Sequence, residues 1–127
     1  MKPYHGNIED ETLNNENYRK VLYTAKQMQL VVMTLQKGEI IPMEVHHDID
    51  QCIRVEEWSA EVEIEGEKFQ LEHDHAIIIP AGNNHEVRNT ADGKLKLYSI
   101  YTPPEHPDGV VHKDFAEAQK YEEEHHH

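Results

Sequence analysis

The chain has 127 residues, enough for one domain whose apolar core needs no disulfide staple. Its formal net charge of −13 argues against nonspecific binding to nucleic acid or to an anionic membrane surface. A single cysteine, Cys52, excludes an intrachain disulfide and fits a reducing compartment. No apolar run reaches about 18 residues and no signal-peptide hydrophobic region opens the chain, so the expectation is a soluble, cytoplasmic protein.

Taken in order, Met1–Leu13 carries little periodicity. Asn14–Gln27 is ambiguous between a weak helical stripe (Tyr18, Val21, Leu22, Ala25) and an edge strand, and a short strand near Arg19–Lys26 is the preferred reading. Gln29–Gln36 is a firmer strand, rich in β-branched and large apolar residues and halted at Lys37–Gly38. Pro42 suits the start or edge of the next strand, which runs through Glu44–His47 to a polar corner at His47–Asp50. Gln51–Glu56 continues in extended form. Ser59–Glu65 alternates cleanly, with Ala60, Val62 and Ile64 on one face and three glutamates on the other.

Gly66 marks a hairpin before Phe69 and Leu71. Ala76–Ile79 is a short apolar strand stopped by Pro80-Ala81-Gly82, His85–Val87 resumes, and a turn at Ala91–Gly93 leads into Leu95–Tyr101. Pro103, Pro104 and Pro107 make an irregular stretch, and Asp114–Glu122 is a short terminal helix. His125–His127 reads as a purification-tag remnant, so the expected domain is 1–124 with irregular termini. Many short strands separated by turns predict an all-β sandwich or barrel.

One segment organises the rest: Gly38–Trp58. Glu44 and His46 are two residues apart on a strand, so both side chains point to the same face. Gln51 and His85 follow where neighbouring strands could bring them alongside. Two imidazoles and a carboxylate form a ligand set for Fe, Mn, Ni or Zn. Gln51 could add a weaker amide oxygen or orient water and substrate.

The spacing resembles the cupin superfamily, in particular its small single-domain members. The first cupin motif runs Gly, five residues, His-x-His, three or four residues, Glu, six residues, Gly. Here it reads Gly38, Glu44-Val45-His46, Gln51, Trp58. The second motif, Gly, five residues, Pro-x-Gly, two residues, His, three residues, Asn, reads Asp74, Pro80-Ala81-Gly82, His85, Asn89. Asp92–Pro107 and Gly109–Ala116 also resemble the branch called mannose-6-phosphate isomerase-like.

The resemblance implies a cupin double-stranded β-helix or jelly-roll barrel. It also implies a metal site in which Glu44, His46, Gln51 and His85 stand where the family has three histidines and a glutamate. Trp58 and Asp74 replace motif glycines, and altered turn geometry is expected there. The leading reading is a metal-dependent cupin, an oxidoreductase or isomerase acting on a small polar metabolite and forming a homodimer. The alternatives are a non-catalytic protein binding a sugar or small acid, and a structural homodimer without retained catalysis.

The remaining polar residues have plainer readings. Arg54 is a rim or sheet-face ion-pair partner before it is an anion anchor, and Glu56 is a base only if it faces the cavity. Cys52 alternates away from Gln51 and reads as a packed thiol. His47, His73 and His75 read as surface residues, and His106 and His112 as rim residues at most. Met28, Met33 and Met43 read as packing residues. Trp58 is a candidate dimer contact or mouth closure.

Overall fold

Alternating apolar and polar side chains build most of this molecule as strands. The structure, a computed structural model, describes residues 1–125. A first helix, α1 (Ile8–Asn14), precedes β1 (Arg19–Thr24), β2 (Gln29–Leu35), β3 (Ile40–Val45), β4 (Asp50–Glu57) and β5 (Ala60–Ile64). Then come β6 (Glu67–Leu71), β7 (Ala76–Ile79), β8 (Asn84–Arg88), β9 (Leu95–Thr102), β10 (Val111–His112) and α2 (Phe115–His125). His126 and His127, part of the expected tag remnant, lie outside the described residues.

The strands form two antiparallel sheets. One has the order β10-β1-β2-β9-β4-β7, the other β3-β8-β5-β6. Inward residues of both sheets, among them Val31, Met33, Ile53 and Val55 from the first and Ile41, Val62 and Val87 from the second, share one buried cluster. This is the expected all-β cupin-type architecture, in its open form: no continuous hydrogen-bonded ladder closes a barrel among the described residues. β2 is buried along its whole length because it lies between β1 and β9 and α1 packs against it.

Three local features were not expected from the sequence. The first is α1, in a stretch of weak periodicity. Asn7 caps it by accepting the Asp10 N–H at 3.0 Å, and Glu9, Asp10 and Glu11 place negative charge in its first turn. The second is β10, which pairs Val111 and His112 with Lys20 and Arg19 of β1. The third concerns Trp58 and Asp74. Their φ angles are 66° and 69°, so both keep the left-handed backbone that a glycine favours, and the expected change of turn geometry is not seen.

Trp58 lays its indole over Gly93, where an added Cβ would fall 2.2 Å from the ring. Its half-exposed side chain thus already has an intramolecular partner, in the turn before β9. Gly93→Ala is therefore expected to cost about 1–3 kcal/mol through overpacking. Thermal denaturation checks this: adding Trp58→Gly should recover much of the loss. Equal stability of Gly93→Ala and wild type would contradict the contact.

Among the methionines only Met33 is core; Met28 and Met43 are about half exposed, against the packing role expected for all three. Glu56 lies on the opposite face of β4 from Gln51, Ile53 and Val55, bonded to Arg54 at 2.7 Å, so it does not face the interior. Arg54 also reaches Asp74 at 3.3 Å, as expected of a sheet-face ion-pair residue.

Candidate metal centre

The site is assembled by strand register. β3 and β8 pair so that Glu44 lies directly opposite His85, and cross-strand partners on one face hold their side chains close. His46 follows the end of β3 at the same parity as Glu44. The donor atoms of Glu44, His46 and His85 all lie within 4.8 Å of one another. Glu44 Oε1 is 3.2 Å from His46 Nε2 and 3.7 Å from His85 Nε2. Donors bound to one ion at about 2.1 Å are separated by roughly 3.0–3.4 Å, so a small contraction suffices for this set to share a metal.

Each imidazole is oriented by a partner on its far nitrogen. His85 Nδ1 donates to the Asn83 carbonyl at 3.0 Å, so in the neutral ring the lone pair sits on Nε2. That Nε2 is buried and has no hydrogen-bond partner among the described residues. His46 Nδ1 lies 3.2 Å from Glu105 Oε2, a carboxylate–histidine pair of the kind that supports metal ligands. Buried polar atoms are normally satisfied, so an orphaned imidazole nitrogen facing a carboxylate and a second imidazole is an arrangement that could hold a cation.

The charges are strongly coupled. Burial alone would raise the Glu44 carboxyl, but the His46 hydrogen bond and the nearby His85 imidazole overcome it and hold the group well below the usual carboxylate range. Burial alone would lower His46, but hydrogen bonds to Glu105 and Glu44 push it up to about 10. Two carboxylates therefore hold a proton on His46 where a metal would take its place.

Gln51 lies on the inner face of β4, buried and cross-strand from Tyr101 of β9. Its Nε2 donates to Ser99 Oγ at 3.4 Å, and its Oε1 is buried without a hydrogen-bond partner among the described residues. Tyr101 is fully buried and meets the rings of His46 and His106 edge-on, with centroids 6.0 Å and 5.2 Å away. His47, His73 and His75 are exposed, as expected.

Sequence reasoning missed Glu105 as a partner of His46 and undervalued His106 as a rim residue. Both sit on the segment after β9, which Gln29 fastens: its Oε1 accepts the Glu105 and His106 N–H groups at 3.2 Å and 2.9 Å, and its Nε2 donates to the His106 carbonyl at 2.6 Å. Burial and the nearby Arg19 guanidinium push His106 down to about 3. Nothing in local periodicity marks such a tertiary strap. Beside Glu44 and His46 opens a cavity of about 450 Å³, lined also by Arg19, Met43, Glu105 and Glu122.

The cupin domain family (Cupin_2) matches residues 31–101, which contain both halves of this centre. The chain belongs to the cupin family. It is 42% identical over 123 residues to protein YrkC of Bacillus subtilis (strain 168), covering 92% of this cupin and 66% of the relative. It is 40% identical over 110 residues to protein L612 of Acanthamoeba polyphaga mimivirus, covering 83% and 68%. The cupin spans about two thirds of the length of these curated relatives. Among solved structures, BH2720 from Bacillus halodurans aligns with a TM-score of 0.92 at 43% identity, over 94% of this chain and 95% of that one.

Proposed function

We propose that this cupin holds one divalent transition metal on Glu44, His46 and His85 and acts on a small polar metabolite as an oxidoreductase or isomerase. The observation that carries the reading is the buried, partnerless Nε2 of His85, aimed with His46 at one carboxylate oxygen. Fe, Mn, Zn and Ni all suit two imidazoles and a carboxylate. Gln51 Oε1 is assigned as a fourth donor or as the group that orients water or substrate beside the metal.

A bound metal supplies Lewis-acid polarisation of a substrate oxygen or, if iron, redox chemistry at open positions. The chain's own part is to fix the two imidazole tautomers through Asn83 and Glu105 and to keep the site walled by Tyr101 and His106. Such a role fits the mannose-6-phosphate isomerase-like branch and a cytoplasmic setting, where the lone thiol of Cys52 stays reduced. Among the described residues no helix is long and apolar enough to cross a membrane.

Calorimetric titration of the metal-free protein with Mn(II), Fe(II), Ni(II) and Zn(II) tests the reading. Glu105→Ala should weaken binding by about 10–100-fold while the stoichiometry stays at one, because it removes only the support of His46. Unchanged affinity would mean that His46 is not a ligand.

We also assign a second copy of the chain to the β7 edge. Among the described residues β7 pairs only with β4, which leaves its other edge unpaired there, and Ile78 is 70% exposed. Light scattering should give twice the chain mass, and Ile78→Glu should shift it toward the monomer. A wild-type monomer would contradict the assignment.

A further inference from the structure

The cavity beside the metal centre contains a cation that the metal reading does not use. Arg19 leaves β1 on the inward side, at the same parity as buried Val21, and is only 6% exposed. Its Nη1 lies 3.3 Å from His112 Nδ1, and its Nε is buried without a hydrogen-bond partner among the described residues. No carboxylate among the described residues forms an ion pair with it.

A buried guanidinium ordinarily has an anionic partner, because losing water without one is costly. His112 lends a lone pair but no negative charge: an arginine N–H only donates, so Nδ1 accepts, and burial and Arg19 lower the imidazole from its usual value. Two of the three carboxylates that share this cavity are engaged elsewhere, and the third, Glu122, makes no ion pair with Arg19. Glu44 is engaged with His46 and His85, and Glu105 is paired with His46.

The geometry points to Arg19 as the anchor for an anionic substrate, a small organic molecule with a carboxylate or phosphate group held at Arg19 while another oxygen reaches the Glu44–His46–His85 centre. This rests on the metal reading and adds a substrate class to it. The guanidinium fork suits bidentate recognition of either oxyanion. A 450 Å³ cavity lies in the size range of small-molecule sites. Arg54 is on the outer face with Glu56 and Asp74 and cannot share the cavity.

The test uses the full chain in metal-free and metal-loaded forms, titrated with malonate, succinate and methyl phosphate, with malonamide as the uncharged counterpart. Arg19→Gln should weaken anion binding at least about tenfold in both forms, Arg19→Lys should fall between it and wild type, and malonamide binding should not change. A ¹⁵N spectrum of wild type should show the Arg19 Nε resonance shift with malonate and stay still with malonamide, a readout that needs no variant to fold. Metal titration of each variant runs alongside. Failure of the metal reading shows as absent metal binding, whereas failure of this inference shows in the anion data alone. Anion affinities within about twofold across the variants, an unmoved Nε resonance, or no saturable binding of any of the three anions by wild type would overturn it.

Discussion

His85→Ala and His46→Ala are each expected to lose more than about 100-fold in affinity for a divalent transition metal. That exceeds the roughly 10–100-fold cost of removing a supporting hydrogen-bond partner, because a donor atom is deleted outright. Isothermal titration of the two folded variants beside wild type measures it, with the exposed His73→Ala as a control at wild-type affinity. Binding should also be linked to protons. The metal-free centre holds His46 protonated up to a pKa of about 10, and the metal must displace that proton. Between pH 6 and 9 about one proton should leave per metal bound, and apparent affinity should fall as the pH is lowered. Titrations in buffers of different ionisation enthalpy give the proton count directly. Equal metal binding by His46→Ala, His85→Ala and wild type would remove the site from this position.

Gln29→Ala carries the second large effect. Gln29 is fully buried and makes hydrogen bonds to Thr24 Oγ1, the Glu105 and His106 N–H groups and the His106 carbonyl. Its removal leaves partly buried backbone groups of Glu105 and His106 without their partner and a cavity where the buried side chain was. A loss of about 2–4 kcal/mol is expected, with Tm lower by roughly 5–15 °C. The loss should reach the metal centre, because Gln29 holds the segment from which Glu105 grips His46. Gln29→Met, which fills the volume but offers no donor and only a weak thioether acceptor, should fall short of wild type in both stability and metal affinity. Stability within about 2 °C of wild type would show that the strap is held elsewhere.

The fold was legible wherever a strand had one face buried. Ala60, Val62 and Ile64 alternate with glutamates, and β5 begins and ends within a residue of the segment expected from that pattern. The centre was legible because its parts are few and their spacing is set by strand parity: Glu44 and His46 share a face, and His85 reaches them across the β3–β8 pairing. α1 escaped because its signal is a polar cap and an acidic first turn rather than an apolar stripe.

Glu105, His106 and Gln29 escaped for a different reason. They are joined across 76 or more positions of chain by hydrogen bonds to an irregular segment, and no local period encodes that. Arg19 could have been found from the alternation with Val21, but an arginine on a strand reads first as an outward-facing residue, as Arg54 proved to be. The positive φ of Trp58 and Asp74 carries a related lesson. A left-handed turn position can be filled by residues other than glycine, here Trp58 and Asp74, at a steric cost.

The central claim is that Glu44, His46 and His85 form one metal centre. Elemental analysis of protein lacking the terminal histidines, after reconstitution with Fe(II), Mn(II), Ni(II) or Zn(II) and removal of free ion, tests it most directly. The account predicts close to one metal per chain for at least one of the four. Less than about a tenth of a metal per chain with every one of them would contradict it.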